Sequence, residues 1–190
     1  LPLQNQHNKA GFETAFTVSI EAAEGITTGI SAADRAHTIR VAAKPDAKPS
    51  DLDRPGHVFP LRAKPHGVLE RPGQTEGSVD LSKLAGLQPA AVICEVMNDD
   101  GTMARVDDLI PFCEKHDLKM ISIEAMVEYR RRTETHVERT SVSTLPTAHG
   151  EFQAYGYRGD VDGLEHIALV KGDVANAKDV LVRVHSSCVT

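Results

Sequence analysis

The sequence predicts a mixed helix-and-strand protein: an α/β layered domain followed by the first strands of a β-rich α+β unit. Three observations predict it. Strand-like and helix-like periods alternate from Phe12 to about Arg132, 41% of the 190 residues are apolar, and the character changes after Thr133 to short alternating runs punctuated by Gly-Asp turns. These features divide the chain into a first domain over residues 1–132, a linker over 133–146 and a second unit over 147–190.

Each element has its own signal. Phe12 to Ala22 alternates, with Phe16, Val18 and Ile20 on one face and Thr17, Ser19 and Glu21 on the other, as a half-buried strand requires. After the loop Gly25–Gly29, Ser31 is placed to cap a helix, with Asp34 three residues on in a capping-box-like start, and Pro45 marks its end. Lys44 to Gly56 carries three prolines among charges and reads as a long loop. Thr75 to Leu84 reads as a helix stopped by Gly86, and Ala90 to Val96 as an apolar strand interrupted only by Glu95. Asp99-Asp100-Gly101 is a turn. Val106 to His116 is amphipathic, with Leu109, Phe112 and Cys113 on one face and Pro111 acceptable within a first turn. Lys119–Ile123 reads as a short strand and Glu124–Arg132 as a helix. Thr133 to Pro146 is polar and without period, hence the linker. Glu151–Tyr157, His166–Lys171 and Val180–His185 then read as three strands.

Composition excludes several classes. A net charge of −6 opposes general nucleic-acid binding, which needs a basic face. No apolar window reaches the ~18 residues of a membrane span, and the first residues lack the pattern of a signal peptide. Three cysteines, Cys94, Cys113 and Cys188, are odd in number and widely spaced, which fits a reduced, cytoplasmic setting better than a disulfide framework. The absence of an initial methionine, and an end at Thr190 directly after a strand-like run, suggest a segment of a longer protein.

The chemistry concentrates in two Arg-Pro-Gly segments, Arg54–Gly56 and Arg71–Gly73. Each offers a guanidinium, a rigid bend and open amides, and the second runs through Gln74 and Thr75 into a helix start, the makings of a phosphate cradle. Plain surface turns would show the same pattern. Glu95, within an apolar run, is a candidate general acid/base if its strand is central; at a strand end it would simply face solvent. His57, after a glycine and before Val58-Phe59, would aim an imidazole into the same region, although a lone histidine is more often structural than catalytic. Asp34, Asp99 and Asp100 are explained by caps and turns. His185 and Cys188 have half of a metal-ligand spacing.

The stretches Phe16–Ala22, Gly25–Arg35, Lys48–Leu52, Arg54–Leu61 and Cys94–Glu95 with Asn98–Arg105 closely resemble the 3,4-dihydroxy-2-butanone 4-phosphate synthases of riboflavin biosynthesis. The resemblance runs from residue 1 to about residue 131. Beyond it, Leu145–Thr147, Gly150–Phe152, His166–Asp173 and Arg183–Ser186 with Cys188 resemble the opening of GTP cyclohydrolase II, in the order of the bifunctional fusion of the two enzymes. The resemblance implies an α/β/α sandwich that splits D-ribulose 5-phosphate into formate and 3,4-dihydroxy-2-butanone 4-phosphate with magnesium or manganese. It also implies a homodimer whose sites draw on both subunits. His57 and Glu95 match the family's two positions essential for catalysis. Arg71 and Thr75 match its substrate-phosphate positions, with Thr28 a further candidate for that role, and Gly73 and Glu95 are further substrate-binding positions. Arg183, Val184, His185 and Ser186 match a GTP-contacting strand end, and Cys188 the first zinc cysteine of the second domain.

Three departures accompany the resemblance. The family's acidic loop, with its metal-binding glutamate, normally precedes the region where this chain begins, Gln74 stands where the family has a metal-ligating histidine, and Ser187 replaces a usual glutamate. An amide oxygen can approach a hard cation but supplies no imidazole nitrogen, so weaker divalent-ion binding is expected. These residues alone are expected to be inactive. Two readings follow for the longer protein: an active synthase joined to a GTP cyclohydrolase II, or a degenerate synthase domain with a structural or dimerising role and activity on GTP only.

Overall fold

The computed structural model describes residues 1–4 and 14–186, which fall into two compact units, Leu1–Thr133 and Glu134–Thr190. In the first unit, β1 (Ile20–Ala22) pairs antiparallel with β2 (Leu52–Val58). Ile20 faces Val58 but Glu21 faces Asp53, so Arg54, Pro55, Gly56 and His57 bulge out of the ladder. Bulges re-aim side chains, and this one presents His57. The Arg54–Pro55 peptide is cis. Gly56 allows the bulge to close on the Ile20 backbone, where any Cβ would collide, and its amide donates to Ser19 Oγ at 3.1 Å.

The alternating strand expected over Phe12–Ala22 is therefore shorter and turned differently. Phe12 lies outside the described residues, as do residues 5–13 generally. Phe16 and Thr17 form only isolated bridges to Leu61 and Leu3. Thr17 is buried while Phe16 is 46% exposed, because the Thr17 hydroxyl donates to the Pro60 carbonyl at 2.9 Å and so faces inward. The long loop expected over Lys44–Gly56 is also corrected: a 3-10 turn over Pro49–Asp51 leads directly into β2, and the first Arg-Pro-Gly is a strand bulge.

α1 (Ala32–Ala42) starts as its sequence requires, with Ser31 Oγ accepting from the Asp34 amide at 3.0 Å. It is pinned to β1 by Thr38, fully buried, whose hydroxyl accepts from the Ala22 amide at 3.0 Å. α2 (Gln74–Leu84) follows an extended Gly73 N-cap that gives no side-chain cap, and Gly86 takes a left-handed conformation just beyond it. α2 buries two carboxylates, Glu76 and Asp80. Asp80 accepts from the Val68 amide at 2.8 Å and pairs at 2.9 Å with Arg130 of α4 (Ile123–Thr133). Gly77 permits that helix pair to close: an added Cβ would sit 2.6 Å from Ile123 Cδ1. Val68 and Met126 are buried at this junction, as Ile20 and Ala22 are beneath α1.

Three expectations in this unit fail. Ala90–Val96 joins no ladder among the described residues, and residues 90–95 are exposed. Side-chain and loop bonds tie it instead: the Ser82 hydroxyl donates to the Ala90 carbonyl at 3.2 Å, and the Ala104 amide donates to the Val96 carbonyl at 2.9 Å around the Asp99–Gly101 turn. Lys119–Ile123 is not a strand either, because Ser122 caps α4, accepting from the Ala125 amide at 3.1 Å. Pro111 sits inside α3 (Val106–Lys115), past its first turn. The missing N–H there removes one helical bond, yet Leu109, Phe112 and Cys113 still share the inner face.

In the second unit β3 (Val137–Thr147), β4 (Gly150–Gly159) and β5 (Glu165–Val170) form an antiparallel meander, β3-β4-β5. The expected linker is thus mostly strand. Val137, Thr140, Val142 and Thr144 are β-branched, which favours extended backbone despite the polarity. Val180–His185 joins no ladder among the described residues, and Leu181 and Val184 are almost wholly exposed. The sheets described in both units are antiparallel, so the helix-and-strand mixture is of α+β type. Among the described residues no helix is long and apolar enough to cross a membrane.

Candidate active site

The bulge in β2 and the start of α2 meet at a cleft of about 380 Å³ in the first unit. His57, Phe59 and Leu61 line one wall, Thr75 and Val79 another, and Arg35 enters from α1. His57 Nδ1 is bonded to the carboxylate of Glu21 on β1. An ionised carboxylate only accepts, so this bond places the proton on Nδ1 and leaves Nε2 as the ring's basic nitrogen. His57 is 44% exposed at its side chain and Glu21 17%, so the histidine remains open to a ligand while its orienting partner is sheltered.

Glu21 is the residue that sequence reading missed. The alternating pattern puts it on the polar face of a strand, and nothing local marks it, because its partner lies on a bulge whose register the sequence does not show. The loop before α1 closes on it. Gly29, at φ +80°, lies against the Glu21 carboxylate so closely that no Cβ fits. Thr28, a candidate substrate contact, sits exposed on this loop.

At α2 the first-turn amides have no side-chain cap, which leaves donors and the positive end of the helix dipole for an anion. Thr75 is buried at the second helical position and shares the cleft with His57. The residues before the helix are less free than the sequence suggests. Arg71 pairs with Glu76, whose side chain is 2% exposed, and donates to Thr14 Oγ1 at 3.1 Å. Glu76 also accepts from the Lys64 amide at 3.1 Å. A Cβ at position 73 would displace the Arg71 guanidinium from its place against Glu76. Arg71 is thus held in place by a buried carboxylate that also offsets its charge, and neither it nor Arg54 is among the residues lining the cleft.

Glu95 stands outside any apolar interior, which corrects the reading of a buried strand carboxylate and agrees with its solvent-facing alternative. It is exposed, and its Oε1 accepts from the Gln74 side-chain amide at 3.1 Å. That bond brings Glu95 to the first residue of α2, beside Thr75. No cluster of three or more His, Cys, Asp or Glu side chains suited to a cation occurs among the described residues. Arg183, Val184, His185 and Ser186 lie on an exposed segment after β5, and Cys188 lies outside the described residues.

Comparison with known proteins bears on both units. The family described as 3,4-dihydroxy-2-butanone 4-phosphate synthase matches residues 1–129, and GTP cyclohydrolase II matches residues 138–190. The riboflavin biosynthesis protein RibBA of Salinispora arenicola is 57% identical over all of this chain and 45% of its own length. The chain spans about half the length of such curated relatives. Among solved structures, the two-domain 3,4-dihydroxy-2-butanone 4-phosphate synthase RibBX of A. baumannii superposes with a TM-score of 0.77 at 51% identity, covering 90% of this chain and 51% of that one. A 3,4-dihydroxy-2-butanone 4-phosphate synthase in complex with two magnesium ions gives 0.63 at 41% identity, covering 70% and 67%.

Proposed function

The chain belongs to the 3,4-dihydroxy-2-butanone 4-phosphate synthase family, and from that premise we propose that its first unit serves riboflavin biosynthesis by converting D-ribulose 5-phosphate to formate and 3,4-dihydroxy-2-butanone 4-phosphate. The observation that carries the reading is the meeting of His57 and Thr75 in one cleft, with Glu95 bonded to Gln74 at the head of the same helix. The substrate phosphate would sit on the uncapped amides of α2 and the Thr75 hydroxyl, with Gly73 allowing close backbone approach and Arg71, steadied by Glu76, adding longer-range attraction. His57, oriented by Glu21, would take and return protons at Nε2, and Glu95 would serve as a second proton carrier on the exposed side. Thr28 would be a further substrate contact.

Divalent-metal use belongs to the proposal and is supported by the magnesium complex of the related synthase. The donors at hand, one carboxylate at Glu95 and one amide at Gln74, do not by themselves fit such an ion, and no step here depends on it. For the longer protein we propose a homodimer with a GTP cyclohydrolase II domain beginning in the second unit, where Arg183–Ser186 would contact GTP and Cys188 would bind zinc; its support is the match over residues 138–190. The assay is formate release from ribulose 5-phosphate by the full-length protein with magnesium. Absence of turnover, unrestored by Gln74→His, would reject the synthase reading.

A further inference from the structure

We propose that Asp34 is a positioning residue for His57, acting through the Thr27–Gly29 loop and Glu21. Asp34 is 7% exposed although it sits in the first turn of α1, where a carboxylate could have faced solvent. Its Oδ2 instead accepts from the Thr27 hydroxyl at 2.7 Å and the Gly29 amide at 3.1 Å. It therefore does not close the capping box its spacing suggests; it reaches back and ties down the loop. The same loop is where Gly29 abuts the Glu21 carboxylate without room for a Cβ. Glu21 in turn bonds His57 Nδ1.

The contacts form one unbroken series, Asp34 to Gly29, Gly29 to Glu21, Glu21 to His57. Loss of the Asp34 acceptor frees the loop to move off Glu21, and a mobile Glu21 no longer holds His57 in its Nδ1–H form. A misheld imidazole presents an N–H where the proposed chemistry needs a base, the known consequence of losing an orienting carboxylate. The proposal deepens the proposed synthase reading and rests on it for its catalytic meaning, but its structural content is independent of turnover.

The test is the tautomer of His57, read from ring ¹⁵N shifts in full-length protein carrying labelled histidine and assigned with His57→Gln. Glu21→Gln and Asp34→Ala should each turn a predominantly Nδ1–H ring into a mixture of tautomers. Asp34→Asn, whose one amide oxygen can stand at the Oδ2 position and accept from both the Thr27 hydroxyl and the Gly29 amide, should restore much of the parent signature. If Asp34→Ala does not fold, Thr27→Val removes one of the two bonds and should shift the tautomer in the same direction. An unchanged His57 signature in the Asp34 and Thr27 variants, with Glu21→Gln altered, overturns the inference and leaves the Glu21–His57 pair intact. If the tautomer responds as expected while the parent protein fails to turn over ribulose 5-phosphate, the positioning role stands and the synthase reading falls.

Discussion

Replacing Asp80 by asparagine tests how α2 is held in place. The carboxylate is 2% exposed and its partner Arg130 is 14% exposed, so both sit largely out of water, and the same carboxylate receives the Val68 amide. Asparagine is isosteric and can still accept that amide, but it removes the buried negative charge that faces the Arg130 guanidinium. Removing one partner of a buried pair costs about 3–5 kcal/mol. The retained amide bond, and the bond from Arg130 to the His66 carbonyl at 2.8 Å, place the expected cost near the lower bound, about 3 kcal/mol. At about 2–4 °C per kcal/mol for a protein of this size, the first melting transition should fall by roughly 6–12 °C. In a double-mutant cycle, Asp80→Asn with Arg130→Met should cost at least about 1 kcal/mol less than the sum of the single changes. Urea denaturation of all four proteins provides the numbers. A loss under about 1 kcal/mol for Asp80→Asn, or additivity within about 0.5 kcal/mol, would refute the claim that this pair anchors α2.

Glu21→Gln should lower kcat for ribulose 5-phosphate by on the order of 10- to 100-fold with little change in KM, less than the 10²–10⁴ typical of losing the acid/base itself; equal kcat would remove Glu21 from the site. Hydrogen bonds, first that from the Thr27 hydroxyl, hold the Asp34 carboxyl below its ordinary value of 3.8. A depressed carboxyl stabilises the fold above its unfolded value and loses that contribution as pH falls through the folded one, so Thr27→Val should flatten the loss of melting temperature below about pH 4. Parallel acid limbs in parent and variant would contradict this. Gln74→His should tighten magnesium or manganese binding measured by calorimetry on the full-length protein, by adding an imidazole nitrogen and releasing Glu95 from its amide bond; unchanged affinity would exclude position 74 from the metal's surroundings.

Helices were legible in this sequence because their ends carry chemistry. Ser31 caps α1 and Gly86 takes up the left-handed turn after α2 as their residue types require. The strands were less so, because a strand exists only by virtue of its neighbour. Ala90–Val96 has the composition of a buried strand but no ladder among the described residues, whereas Val137–Thr147, polar in composition, pairs with β4 from end to end apart from a bulge at Thr140. Much of the candidate site could be assembled by position, with His57, Thr75, Gln74 and Glu95 falling near one helix start. What stayed hidden were the pairings: Glu21 with His57 depends on a bulge, Glu76 with Arg71 on a buried helical carboxylate, and Asp34 with Gly29 on a contact that passes over the cap its spacing suggests. A one-dimensional pattern shows which residues can do chemistry, and the ladder register decides which of them meet.

The most direct test of the account is formate release from D-ribulose 5-phosphate by the full-length protein beside its His57→Asn and Glu95→Gln variants, each checked for folding by its melting curve. The account predicts formate and a four-carbon ketose phosphate in equal amounts from the parent protein, and rates lower by at least about 10² in each folded variant. Formate release that persists undiminished in either variant, or a parent protein that leaves the sugar phosphate untouched, would contradict it.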